Sequence, residues 1–374
     1  MDIPFVKIYL TGKEKQNINQ AASFSGDGFF TRQCHSWLER ELNCQRALLT
    51  HSCTAALEMC ALLMNLTSGD EVIMPSYTFP STANAFALRG AIPVFVDIRP
   101  DTLNLNESLI ESAITTKTRA IVVVHYAGVG CEMDSIINIA AKYNLYVIED
   151  GAQAILAKYK GRYLGTLGDL GAYSFHETKN IICGEGGALL INNHRFIDHA
   201  EIIREKGTNR SSFYRGEIDK YTWQHLGSSY LPSELNAAFL SAQLEAAEFI
   251  TESRLKFWHI YHESFAELEH LGVIRRPIIP EECEHNGHIY YLLVTEVEKR
   301  DKVLAYLKQK GIMAVFHYIP LHQSPAGKLF TRTHGELNVT ESISKRILRL
   351  PLFVDLNDDM LQIIIKTTKE ALLS

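Results

Sequence analysis

Seven short apolar runs rich in β-branched residues, at 46–50, 71–75, 93–97, 119–125, 145–150, 172–175 and 188–192, recur through the first half of the chain. The first five alternate with stretches of helical period at 54–66, 78–88, 107–114 and 132–143. That alternation leaves few topologies open, because neighbouring parallel strands need a crossover and helices supply it on both faces of a sheet. Ile121-Val122-Val123-Val124 is apolar at every position, as a strand covered on both faces must be. The expected fold is therefore α/β with a mainly parallel, seven-stranded sheet, and in such sheets ligands bind at the carboxyl ends of the strands. After residue 195 long helices take over, at 194–206 and from 232 to about 271. A strand at 289–297, a helix at 301–310, a strand at 313–317 and a closing helix at 358–373 follow. A chain of 374 residues outgrows a single small core. The pattern predicts a large domain at 1–245 and a small α+β C-terminal domain at 246–374.

Several function classes drop out on composition. A formal charge of −6 without a basic stripe argues against nucleic acid as a partner, so any phosphate site must be local. No apolar run approaches the roughly 20 residues of a membrane span, and the start of the chain lacks a basic segment followed by an apolar one. The seven cysteines are odd in number and scattered, with no C-x-x-C pair, which points to reduced thiols and a cytoplasmic setting. His317-Tyr318-Ile319-Pro320-Leu321-His322 suggests a metal site at first sight. Its proline prevents both histidines from sharing a helix face, and no carboxylate stands at ligand spacing, so no metal is expected.

The chemistry concentrates at strand ends. Glu149-Asp150-Gly151-Ala152-Gln153 closes the fifth run and leaves a carboxylate at the sheet's carboxyl edge, where Asp150 can serve a ligand or merely cap the next helix. About 25 residues on, Ser174-Phe175-His176-Glu177-Thr178-Lys179 ends another strand and precedes the glycine cluster Gly184-Glu185-Gly186-Gly187. A lysine so placed suits a buried amine better than a surface charge. An amine that bonds an aldehyde, beside a carboxylate that keeps a pyridine nitrogen protonated, is what pyridoxal phosphate (PLP) chemistry needs. Its phosphate needs an anion cradle, and His51-Ser52-Cys53-Thr54 lies where the first strand turns into a helix. Ser52 and Thr54 can hold that phosphate or simply cap the helix, and Ser174 can add a hydroxyl.

These motifs, in this order, resemble the DegT/DnrJ/EryC1/StrS family of sugar aminotransferases, PLP-dependent transferases of fold type I. Ser25-Gly26, Ser52 to Leu57, Gly69 to Pro75, Tyr77-Thr78-Phe79, Glu149 to Gln153, Ser174 to His176 with Lys179, and Gly184 to Gly187 carry the likeness along essentially the whole chain. The resemblance implies that Lys179 bonds the cofactor and later shuttles a proton. It makes Asp150 the partner of the pyridine nitrogen, Gln153 a neighbour of the ring and Phe79 the aromatic stacked on it. Without the resemblance, Phe79 reads as a core residue of the 78–88 helix. Ser174, Thr54 and the backbone at Cys53 match the phosphate contacts. Two positions depart from the family pattern. Cys53 stands where glycine is usual, which asks for less permissive backbone angles. Ser229 stands where an asparagine usually reaches the phosphate across a homodimer interface.

The loops at 207–215 and 220–230 look most like the branch that aminates dTDP-4-dehydro-6-deoxyglucose with glutamate to give dTDP-4-amino-4,6-dideoxygalactose. A relative making the C4 epimer would look similar. Lys206, Asn209, Arg210 and Tyr214, with His317, Tyr318 and His322, are the expected contacts to the keto-sugar nucleotide. Lys206 beside Gly207 also fits an ordinary helix C-terminus. Other readings are weaker. Gly128-Val129-Gly130 after a strand resembles a dinucleotide fingerprint, but Met133 replaces its third glycine. The family's dehydratases carry histidine in place of the lysine. A non-catalytic PLP-binding regulator would need no substrate loop.

Overall fold

In the computed structural model, which describes residues 2–374, the large sheet has eight strands. They are β1 (Arg46–Thr50), β2 (Glu71–Pro75), β3 (Ile92–Val96), β4 (Thr118–Val124), β5 (Tyr146–Asp150), β6 (Leu170–Ser174), β7 (Gly187–Ile191) and, from the C-terminal part, β10 (Arg332–Thr333). Their order is β1-β7-β6-β5-β4-β2-β3-β10, and only β7 runs against its neighbours. β2, β5, β6 and β7 are buried along nearly their whole length because helices cover both faces. The eighth strand was not expected. Its two residues pair in parallel with Val94 and Phe95, and the Arg332 guanidinium grips both carboxylate oxygens of Glu71. A two-residue strand has no periodicity for a sequence to display.

The crossover helices are α3 (Cys53–Leu63), α4 (Pro80–Ala87) and α5 (Met133–Tyr143), and α6 (Ile197–Arg204) follows β7. Two helices unseen in the sequence pattern, α1 (Glu14–Gln20) and α2 (Phe29–Leu42), pack against α7 (Glu234–Glu245). The buried carboxylate of Glu234 fastens the start of α2 by accepting from the N–H groups of Gly28, Phe30 and Thr31.

The single long helix expected from 232 to 271 is instead three. α7 ends at Ala246 and α8 (Ala247–Ser264) at Phe265, both with non-helical backbone, before a short turn at Ala266–His270. No glycine or proline marks either break. The first separates a helix buried against α2 from one whose Phe257, Trp258 and Tyr261 pack beneath a second sheet. That sheet is antiparallel, in the order β8 (Ile274–Arg275), β9 (Tyr290–Val294), β11 (Ile347–Leu350), and is covered by α9 (Val297–Gln309) and α11 (Asp358–Leu373). The strand expected at 313–317 does not form. Val315 makes one bridge to Arg349, and the His317 carbonyl accepts from the Tyr77 hydroxyl instead of joining a ladder.

Candidate active site

β1, β2, β4, β5 and β6 all end, and β7 begins, at one edge of the large sheet, and the predicted residues gather there. At β5 two adjacent carboxylates take opposite faces. Glu149 is fully buried and accepts from His125 Nε2 at 2.8 Å and from the N–H groups of Gly165, Leu167 and Gly168, which fastens a turn. Asp150 accepts only from Thr82 Oγ1 at 2.7 Å and the Ala152 N–H at 3.1 Å, leaving lone pairs for a further donor. Thr82 is buried and belongs to a chain of hydroxyls with Thr78, one helical turn before it. Thr82 was not among the expected residues, although its four-residue spacing from Thr78 is visible in the sequence.

Lys179 follows β6, its backbone N–H bonded to the His176 carbonyl, and its amine has no hydrogen bond or ion pair among the described residues. Burial lowers its pKa against the pull of Asp150, with Arg349 acting in the same sense as burial. Burial pushes the Cys53 thiol well up, so it stays neutral and adds no charge to the site. Next to Lys179, Asn180 donates to the Asn286 carbonyl and meets the His288 ring, while the Asn286 amide donates to the Gln153 and Ile155 carbonyls.

The turn after β1 is where the anion cradle is expected. Ser52 caps α3 by accepting the Ala55 N–H at 3.1 Å, and Thr54 Oγ1 donates to Ser81. The N–H groups of Cys53 and Thr54 keep no partner among the described residues. The cap reading of Ser52 holds: its side chain orders the turn, and the turn leaves free donors at a helix N-terminus. Cys53 is the first helical residue and needs no special backbone angle. Gly187, paired with Thr50, lies so close that a Cβ there would collide with the backbone of Ser52 and Cys53. Ser174 sits beside it across the β6–β7 ladder.

Phe79 is not a core residue. It occupies the N-cap of α4 with 59% of its surface exposed. Gln153 is held at both ends, its oxygen accepting from the Ala127 N–H and its amide donating to the Tyr318 hydroxyl at 3.0 Å. Tyr318 belongs to an aromatic wall with Tyr77, Tyr126 and His317, whose Nδ1 lies 3.2 Å from the Tyr126 hydroxyl. His322 stands apart from that wall. Its Nδ1 meets Ser76 at 2.8 Å and its Nε2 meets Glu341 at 3.1 Å, so both ring nitrogens are engaged within the protein.

The remaining expected contacts gather elsewhere. Lys206, Arg210, Tyr214 and Ser229 line a separate cavity of about 790 Å³ on the outer side of β1, together with Arg46 and Arg204. Asn209 does not line it. Its side chain accepts the Thr222 N–H and helps hold the loop whose stem pairs Glu205 with Ser229 and Thr208 with Trp223. Arg210 lies 5.0 Å over the Tyr214 ring and donates to its hydroxyl. The Gly128 to Gly130 segment is buried, and Asn286 fills the space a side chain at Gly128 would need, so it offers no dinucleotide cradle.

A mainly parallel sheet carrying a partner-free lysine, a carboxylate with spare lone pairs and a helix N-terminus with free donors at one edge defines a fold type I PLP enzyme. The chain belongs to the DegT/DnrJ/EryC1/StrS aminotransferase family, whose model matches residues 13–369. It is a PLP-dependent sugar aminotransferase. Spore coat polysaccharide biosynthesis protein SpsC of Bacillus subtilis is 32% identical over 87% of this chain and 85% of its own. GDP-perosamine synthase of Escherichia coli O157:H7 is 29% identical over 98% of each. The PLP form of a putative sugar aminotransferase, Spr1654, from Streptococcus pneumoniae superposes with a TM-score of 0.91 at 24% identity, covering 100% of this chain and 99% of that one, a likeness of fold.

Proposed function

We propose that the chain transfers the amino group of L-glutamate to C4 of dTDP-4-dehydro-6-deoxyglucose, giving dTDP-4-amino-4,6-dideoxygalactose, and that it works as a homodimer. The observation that carries the site assignment is the partner-free Lys179 amine sharing one sheet edge with Asp150 and the unpaired N–H groups of Cys53 and Thr54. PLP, when bound, supplies an aldehyde for the amine and a ring that accepts electrons from a breaking C–H bond. With PLP bound, the Lys179 amine would hold its aldehyde and would be placed to carry a proton from the donor's α-carbon. Its lowered pKa leaves more free base near neutral pH than an ordinary lysine offers. Asp150, oriented by Thr82 and Ala152, would serve the ring nitrogen. The free N–H groups at the start of α3, with the hydroxyls of Ser52, Thr54 and Ser174, hold the phosphate. Phe79 offers an exposed ring face for stacking, and Gln153, held by Tyr318, would lie beside the ring.

The dTDP-linked sugar rests on the wording of the loops at 207–215 and 220–230. A GDP-linked 4-keto sugar is the second reading, favoured by the full-length match to GDP-perosamine synthase. The experiment supplies L-glutamate with each keto-sugar nucleotide in turn and determines C4 stereochemistry by NMR. A dTDP-linked galacto product is expected. A gluco product would move the chain to the C4-epimer reading, and turnover only with the GDP-linked sugar would overturn the dTDP assignment.

A further inference from the structure

Asn286 lies just ahead of β9, which belongs to the second sheet, yet its side chain is fully buried among the loops that leave the first. Cys283 and Glu284 bring the stretch across by pairing with Tyr159 and Lys158, and the buried Arg254 of α8 fastens it by donating to the Gly287 and His288 carbonyls. Three loops meet at Asn286. Its amide nitrogen donates to the Gln153 and Ile155 carbonyls, both at 2.9 Å, on the loop after β5. Its amide oxygen accepts the His288 N–H at 3.1 Å and occupies the space beside Gly128, on the loop after β4. Its backbone carbonyl accepts from the Asn180 amide at 3.0 Å, on the loop after β6 that carries Lys179. A carbonyl can only accept, so the Asn180 nitrogen faces Asn286 and its oxygen faces His288 Nδ1 at 2.9 Å, which therefore carries the hydrogen. Both ends of the Asn286 amide are satisfied, as a buried polar group requires.

We infer that Asn286 is a positioning residue for amine transfer: it sets Lys179 and Gln153 against each other through Asn180 and the Gln153 backbone. The role depends on Lys179 being the cofactor-bearing residue. Asn286 is itself enclosed, so it acts only through the groups it holds. Gripping Gln153 by its carbonyl leaves that residue's side chain free to accept the Ala127 N–H at 2.7 Å and to donate to Tyr318. Ala127 keeps a left-handed φ of 59°, a conformation that an alanine holds only where its surroundings impose it. An apolar side chain in place of Asn286 would fill much of the same space, but it would leave the Gln153 and Ile155 carbonyls unpaired and their loop free to shift. Proton transfer needs donor and acceptor within hydrogen-bond reach, and a displacement of about 1 Å is enough to cost about 10²-fold. Loss of Asn286 should accordingly fall on the step in which Lys179 moves a proton, and not on the affinity for donor or acceptor.

The test uses the PLP-loaded enzyme, with rates counted per subunit that holds the cofactor by its absorbance. Asn286→Ala should lower kcat by about 10- to 10²-fold while KM for L-glutamate and for the keto-sugar nucleotide each change less than about 3-fold. The slowed rate should fall further when the glutamate is deuterated at its α-carbon, because the proton step then limits turnover. His288→Leu, which leaves the Asn180 oxygen without its donor, should lower kcat by about 10-fold, and His288→Asn, which restores an amide donor near the Nδ1 position, should recover most of that loss. The His288 pair carries the same measurements should Asn286→Ala fail to fold. Unchanged kcat per loaded subunit, a loss confined to KM, a slowed rate indifferent to deuterium, or equal losses in His288→Leu and His288→Asn would each overturn the inference. Lys179→Ala distinguishes the underlying reading. Should that variant keep turnover, the site itself is misassigned, whereas a dead Lys179→Ala beside an unimpaired Asn286→Ala removes only the positioning role.

Discussion

Burial sets the Lys179 amine below the ordinary lysine value of 10.5, and that shift has a sign that can be checked. At any pH below the lowered value, folding must hold a charged amine in a site that disfavours it. As pH rises toward 10.5 the unfolded chain loses its proton too, and the penalty fades. Cofactor-free Lys179→Met should therefore be more stable than the cofactor-free parent at pH 7, with a margin that shrinks toward zero near pH 10.5, by urea denaturation. A margin independent of pH would mean that packing, not charge, is responsible. Gly187 offers a steric counterpart. Its Cβ would meet the backbone of Ser52 and Cys53 and not a movable side chain, so Gly187→Ala should destabilise by about 2–3 kcal/mol and weaken cofactor retention, read by melting and dialysis. Asp150 ends β5, and Ser52 and Lys179 each follow a strand by a few residues, so the local pattern of the sequence already sets all three at one edge of the sheet. The hold of Tyr318 on Gln153 was not legible, because 165 residues separate the two in the chain.

His322 shows how an element can claim a residue that its sequence offers to the ligand. The turn at Leu321–Gln323 is held to the end of β2 by Ser76, which accepts the His322 N–H and meets its Nδ1, and to α10 (Asn338–Arg346) by Glu341. His322→Ala should lower stability by about 1–2 kcal/mol while changing KM for the keto-sugar nucleotide less than about 3-fold, read by denaturation beside steady-state kinetics. A large KM effect at unchanged stability would restore His322 to the binding site. Elements whose periodicity is long and unbroken were legible: β1, β2 and α11 begin and end where the pattern put them. The failures have a common cause in long-range contacts. Residues 313–317 form an apolar run up to His317 but no ladder: Val315 keeps one bridge to Arg349, and the Tyr77 hydroxyl takes the last carbonyl. The start of α2 depends on Glu234, some 200 residues later.

At the scale of the whole molecule, one chain divides its expected active-site residues between two places. Lys179, Asp150 and the cradle lie at the carboxyl edge of the sheet, whereas Lys206, Arg210 and Ser229 line the cavity beyond β1. Arg204 is almost fully buried at that cavity, paired with Asp27 through one nitrogen while its Nη2 has no partner. The sequence contained both groups but not their separation, since a single chain's motifs carry no record of which copy they serve. A two-fold symmetric dimer can reunite them by setting each cavity against the partner's lysine. That arrangement has a consequence no intrachain site shares. Lys179→Ala chains and chains carrying both Lys206→Ala and Arg210→Ala should each be nearly inactive alone. Unfolded together, refolded and allowed to pair at random, half of the dimers combine the two kinds, and each of those contains one site with every residue intact. Activity should then return to about one quarter of the parent level, measured as amine transfer per subunit. A mixture that stays inactive would place the loop and the lysine of one site on the same chain, because every active site in it would then retain at least one of the defects.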